Sequence, residues 1–313
     1  MTTAHLPDDA EVPPPRVEEV SEGIFAYIQP NGGWGLNNAG FIVGREAVTA
    51  IDTCFTVKRS RAFAEAVRTA AGARPVQTLV NTHHHGDHTH GNFVFAPGAT
   101  IIGHERCRQE AIATGLGTTA FWPQVDWGEI RLAPPFVTFA ERLNVYADDL
   151  RVELIYVGPA HTTNDIVAWV PERKLLFAGD VIFNGGTPFV VMGSLAGSLA
   201  ALETLRGLGA ERIVPGHGPV CAPAVIDDVA AYLRFVRDVA GKGFAAGAGP
   251  LELALETDLG RFGEWLDRER LVANLHRAYS ELRGEPQGTA LPLAGVMPDM
   301  VAYNGGQMPR CLA

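Results

Sequence analysis

Residues 81–92 read NTHHHGDHTHGN and hold five of the chain's ten histidines, with one aspartate among them. The stretch is too polar for a core segment, and its spacing is too uneven for a solvated tract. It follows VQTLVN, an apolar run that reads as a strand, so the cluster lies where a scaffold strand hands over to a loop. In an extended segment alternate side chains project the same way. His83 and His85 therefore converge on one point while His84 faces away. Asp87 and His88 follow at the transition into a helix and reach a neighbouring point.

Three further candidates end later apolar strands: LRVELIYVGPAHT delivers His161, KLLFAGD delivers Asp180 and ERIVPGHG delivers His217. Imidazole and carboxylate of this kind suit zinc, and seven such groups exceed one tetrahedral site. The expected arrangement is two zinc ions, one on His83, His85 and His161, the other on Asp87, His88 and His217, with Asp180 between them. His84 and His90 are expected outside the ligand set, with indirect contact open to either. His5, His104 and His276 read as ordinary surface or helix residues.

Outward from the cluster, GIFAYI, AGFIVG and AVTAID read as a strand meander. TVKRSRAFAEAVRTAAGA has helical spacing, with Phe63, Val67 and Ala70 on one side. ATIIGH is a strand, ERCRQEAIAT a helix, and 115–135 a long loop rich in glycine, proline and tryptophan, of the sort that is usually functional. FVTFA, LNVYA, LRVELIYVG, DIVAWV, KLLFAGD and ERIVPG resume the strands, with a helix at SLAGSLAALETLRGL. After Pro223 the pattern turns helical, at DDVAAYLRFVRDVAGKG and RFGEWLDRERLVANLHRAYSELRG. Sheets covered by helices on both faces give a layered α/β architecture. The organisation expected is a flexible tail over 1–20, a catalytic core over 21–222, and a helical extension and tail over 223–313 packed on that core.

Composition bounds the partners. The chain has 313 residues, 47% hydrophobic, and a formal net charge of -10. No long-range field draws in nucleic acid or an anionic membrane, and no stretch approaches the length of a membrane span. Four cysteines without a CxxC pair read as reduced thiols in the cytoplasm, and the proline-rich N-terminal segment reads as neither a signal nor a transit peptide.

HHHGDH at 83–88 resembles the H-x-H-x-D-H signature of the metallo-β-lactamase fold superfamily, and the likeness continues in order through His161, Asp180 and His217. The resemblance implies a four-layer αββα sandwich and two zinc ions sharing a hydroxide. Asp180 would bridge them, and Asp87 would take a proton from the attacking water. Aspartate at 180 is as in the glyoxalase II and lactonase-like branches. Asp52, closing AVTAIDT, resembles the family's aspartate that orients a ligand. Trp34 in NGGWGLNN and Trp122 and Trp127 in the long loop are candidate pocket residues.

The phrases VNTHHHGDHTHGN and GPAHTTNDIVAWVPERKLLFAGDVIFNGGTPFV are similar to the actinorhodin-type bicyclases of aromatic polyketide pathways. That likeness implies ring closure and thioester release of a chain bound to an acyl carrier protein. The alternative is a small-molecule metallo-hydrolase, lactonase or glyoxalase II-like; a β-lactamase or nuclease fits less well. The expected partner is a free or carrier-bound substrate, with a homodimer allowed. Lys58, Arg59, Arg61 and Arg68 form a basic cluster on which an acidic carrier would dock.

Overall fold

The apolar runs of the first half pair in sequence order. In the computed structural model, which describes residues 12–313, β1 (Arg16–Ser21), β2 (Ile24–Ile28), β3 (Ala39–Val43) and β4 (Val48–Ile51) form an antiparallel meander. β1 thus lies within the segment read as a flexible tail; residues 1–11 of that segment, with His5, lie outside the described residues. Helix α1 (Val57–Ala71) then returns the chain so that β5 (Val76–Val80) runs parallel to β4. Its buried face uses Phe63, Val67 and Ala71, one turn apart, whereas Ala70 is exposed. The short helices α2 (Gly86–Thr89) and α3 (Asn92–Phe95) precede β6 (Thr100–His104), α4 (Glu105–Thr114) and β7 (Val137–Phe139), completing a seven-stranded sheet.

The second sheet has five strands, β8 (Arg142–Ala147), β9 (Leu150–Tyr156), β10 (Ile166–Val170), β11 (Leu175–Phe183) and β12 (Arg212–His217). Helix α5 (Leu195–Leu208) makes the crossover that lets β12 lie parallel to β11. Four helices follow: α6 (Val225–Ala246), α7 (Pro250–Glu256), α8 (Arg270–Leu282) and α9 (Leu293–Tyr303). The helix expected from 261 starts only at Arg270, because residues 260–264 form a 3-10 turn and Asp267 adopts φ +57°.

Consecutive strand residues face opposite layers. Ile42 packs between the sheets with Ile24, Leu154 and Phe177. Its neighbour Phe41 joins Leu79 on the outer face of the first sheet, against Phe63 and Val67 of α1. On the far side, Leu176 and Ile213 of the second sheet pack under Leu202 of α5, Val236 of α6 and Leu275 of α8. The layer order is therefore αββα, with α6 to α9 thickening one outer layer. No helix among the described residues is long and apolar enough to cross a membrane.

Candidate metal centre

Four segments bring their ligands to one edge of the sandwich. The loop after β5 is held by side-chain amides: Asn81 donates to the His88 carbonyl at 3.2 Å and to Asn92 Oδ1 at 3.0 Å, while Thr53 Oγ1 donates to the same carbonyl at 2.9 Å. The His161 loop closes on Asp165, which accepts from the Thr162 N–H at 2.8 Å and the Ala160 N–H at 3.2 Å. Asp180 lies within β11 instead of at its end. Gly179, at φ +51°, breaks the register with β12 there and re-aims the carboxylate. A Cβ on Gly216 would stand 1.9 Å from Asp180 Oδ1, so the neighbouring strand must be bare at that point.

The side chains converge in two sets, His83, His85, His161 with Asp180, and Asp87, His88 with His217. His161 Nε2 and His85 Nδ1 approach to 2.8 Å. His217 Nε2 lies 3.3 Å from Asp87 Oδ2. Asp180 spans the sets: Oδ2 is 3.3 Å from His161 Nε2 and 3.4 Å from His217 Nε2, and Oδ1 is 3.0 Å from His88 Nε2.

Most rings are fixed from behind, which sets the nitrogen each offers. His217 Nδ1 donates to the Gly32 carbonyl at 3.0 Å, and His161 Nδ1 to the Phe189 carbonyl. Asp52, in the left-handed region at φ +58°, serves both sets. It accepts from His88 Nδ1 at 2.8 Å and from Thr82 Oγ1 at 2.7 Å, and that hydroxyl in turn accepts from His83 Nδ1 at 3.1 Å.

These residues fit divalent cations. His83 Nε2, His88 Nε2 and Asp180 Oδ1 are buried without a hydrogen-bond partner, although His88 and Asp180 lie close together. Orphaned polar atoms of this kind, all in one ligand constellation, are the mark of a metal site. The electrostatics agree. Burial and neighbouring imidazoles hold His83 and His85 well below the usual imidazole range. Burial also opposes charge on His88 and His217, but Asp180 and the adjacent carboxylates outweigh it, raising His88 well above that range and His217 to about 9. Burial favours a neutral Asp180, yet His217, His88 and His161 depress its pKa far more strongly. The site concentrates carboxylate charge that protonated His88 and His217, or bound cations in their place, balance.

The centre opens into a cavity of about 290 Å3. Trp34 and Trp122 line it; Trp127 does not, standing behind the wall against Phe55 at 4.7 Å. His84 turns away from the ligand sets to Asn164 Nδ2 at 2.9 Å, and His90 packs on Phe55 at 5.3 Å; both edge the cavity. His104, read as an ordinary residue, is buried and caps α4. His276 pairs with Asp299 at 2.7 Å.

Sequence reasoning missed Phe55, Phe189, Arg270 and Met297 in the cavity wall, whereas the tail over 303–313 is expected from its turn and apolar residues to fold back over the pocket mouth or into a subunit interface. Arg270 is the nearest to legible, a charged residue on the apolar face of a helical pattern. Residues 309–312 fold back onto this wall: Trp122 Nε1 donates to the Pro309 carbonyl at 2.6 Å and the Leu312 N–H to the Trp34 carbonyl at 3.3 Å. Arg59, counted in the basic cluster, is committed here. It donates to Gln29 at 2.9 Å and to the Leu312 carbonyl at 2.7 Å, while Arg68 pairs with Glu65. The cluster is left with Lys58 and Arg61 exposed.

An αββα sandwich here presents two carboxylate-linked histidine sets of metal-ligating type at one edge. The chain belongs to the metallo-beta-lactamase superfamily, whose sequence profile matches residues 32–217. It is 30% identical over 204 residues to the alpha subunit of 2,4-dinitroanisole O-demethylase from Nocardioides sp. (strain JS1661), covering 64% of this chain and 55% of that protein. It is 32% identical over 137 residues to the hydroxyacylglutathione hydrolase of Methylococcus capsulatus, covering 42% of this chain and 44% of that one. The chain thus spans about half the length of these curated relatives. In fold it is similar to a metallo-beta-lactamase from Pontibacter korlensis, with a TM-score of 0.60 at 20% identity over 71% of this chain and 99% of that chain.

Proposed function

We propose that the protein is a dinuclear zinc hydrolase that cleaves the thioester or ester of an aromatic acyl group. One juxtaposition supports this most: two ligand sets spanned by Asp180 open directly onto a cavity walled by Trp34, Phe55, Phe121, Trp122 and Phe189. His83, His85 and His161 would hold one ion and Asp87, His88 and His217 the other. Bound there, the pair would polarise a carbonyl and bring a water's pKa toward neutrality.

The remaining work falls to the chain. Asp87 is more open to the cavity than Asp180, 16% against 4% by side chain, and so takes the proton from the attacking water. Asp180 keeps the two sets in register, and Asp52 fixes His88 directly and His83 through Thr82. The aromatic walls exclude bulk water and stack against the acyl ring.

The substrate class draws on the relatives, one named as an O-demethylase of 2,4-dinitroanisole and the other as a hydroxyacylglutathione hydrolase. A glutathione conjugate suits this cavity poorly. The cation in its described lining, Arg270, is already paired with Asp267 at 2.8 Å, which leaves little for a charged peptide. Ring closure and release of a carrier-bound aromatic polyketide, in the cytoplasm where four unbridged cysteines are at home, is the setting we favour. The test compares the N-acetylcysteamine thioester of 2-naphthoic acid with S-lactoylglutathione on zinc-loaded protein. The naphthoyl thioester should show at least about tenfold higher kcat/KM, and the opposite ranking contradicts the proposal.

A further inference from the structure

The polar atoms of the cavity wall fall into two groups. The indole N–H groups are already bonded, Trp34 to Glu269 at 2.6 Å and Trp122 to the Pro309 carbonyl at 2.6 Å, so these rings offer a ligand their faces. His84 Nε2, His90 Nδ1, Arg270 Nε and Thr118 Oγ1, by contrast, are buried and have no partner, and all four residues line the same cavity. His84 and Arg270 are 3% and 2% exposed. A buried donor without a partner is unfavourable unless a ligand completes it.

Both are donors. Asn164 Nδ2 lies 2.9 Å from His84 Nδ1 and donates to it, which leaves the ring proton on Nε2. In Arg270, Nη1 donates to the Thr187 carbonyl at 3.0 Å and Nη2 meets Asp267 at 2.8 Å, so Nε–H is the donor left over. Pairing with Asp267 cancels the guanidinium charge locally, which suits a neutral oxygen better than a carboxylate. The two donors flank the metal centre. His84 stands 4.7 Å from His85 of the first ligand set. Arg270 lies 5.0 Å over Phe183, whose ring stacks at 5.1 Å on His217 of the second.

We infer that His84 and Arg270 are substrate-contacting donors that select an aromatic acyl group bearing neutral oxygen substituents, keto or phenolic, on either side of the reacting carbonyl. This rests on the acyl-hydrolase reading and narrows its substrate class. Arg270 lies on α8, beyond the matched span of residues 32–217, whereas His84 lies within it.

Two isosteric probes test it, 1,4-dimethoxynaphthalene and 1,4-diethylnaphthalene, with binding to the zinc-loaded protein read by quenching of tryptophan fluorescence. The wild type should prefer the dimethoxy compound by about tenfold, against the hydrophobic trend. His84→Leu and Arg270→Met should each remove most of that preference by weakening the dimethoxy compound alone. If Arg270→Met does not fold, Arg270→Lys keeps the charge beside Asp267, lacks the Nε–H and reads the same contact. Equal or reversed affinities in the wild type overturn the inference, as does a preference that survives both substitutions. Turnover of the naphthoyl thioester is scored separately. Its absence refutes the acyl-hydrolase reading, whereas turnover without an oxygen preference refutes only the donors.

Discussion

The strand ends between Val80 and His217 and the helices after Pro223 build one cavity by different rules. The strand ends, with Asp180 inside β11, supply the ligands, and most of the rings are fixed by partners close in the fold: Asp52 behind His88, Gly32 behind His217. The extension reaches the cavity from outside the sandwich. Along one face of α8, Arg270 donates to the Thr187 carbonyl at 3.0 Å, Asn274 to the Pro188 carbonyl at 2.7 Å and Arg277 to the Val191 carbonyl at 2.6 Å. These residues stand four and three positions apart, so one helix stripe grips one loop. That loop carries Phe189 into the wall, and its Phe189 carbonyl steadies His161. Reaction chemistry therefore resides in short-range geometry, while substrate shape resides in long-range packing.

The largest expected effect breaks the first region. Asp180→Ala removes the carboxylate common to both ligand sets and should lower kcat/KM on the order of a thousandfold, measured on any substrate that turns over. A loss no greater than that of His84→Ala would mean that Asp180 does not link the sets. Next comes Asp52→Ala, which loosens His88 and, through Thr82, His83. Metal affinity should fall by about 10- to 100-fold at both sites, read by competition with a chelator; a fall at one site only would separate the two halves of this network.

Smaller effects sharpen the contrast. Deleting residues 305–313 removes the Pro309 carbonyl from Trp122 and the Leu312 contacts from Trp34 and Arg59. Expected outcomes are a KM raised by about tenfold and unchanged metal content. Lost metal with an unchanged KM would reverse the division of labour. The smallest effect belongs to Arg61→Glu on the exposed face of α1. Turnover of a free thioester should stay within about twofold, while a carrier-linked thioester slows, more so at low salt. Equal responses would leave the exposed remnant of the basic cluster as a solvated helix face.

How much was legible follows the same line. The ligands stood out because a metal site needs rare residue types at strand ends, and both leave local traces: the HHHGDH motif, and His161, Asp180 and His217 after apolar runs. The layers were readable because period-2 and period-3.6 patterns differ. Asp52 could be suspected, but not that one carboxylate serves both sets, since the Thr82 relay depends on a left-handed backbone turn. Trp127 misled because an aromatic in a glycine- and proline-rich loop packs outward or inward with equal ease. Met297 left no local signal and Arg270 only a charge on an apolar helix face, because these residues meet the site only after α6 to α9 have packed. Arg59 looked like a surface cation for the same reason: its partner, the Leu312 carbonyl, lies 253 residues away in sequence.

The central claim is that seven side chains make two linked metal sites. Elemental analysis of the purified wild type beside the His88→Ala, His217→Ala double variant tests it most directly. The expected result is two zinc equivalents per chain in the wild type and about one in the variant, still bound by His83, His85 and His161. A single equivalent in the wild type, unchanged in the variant, would contradict the account.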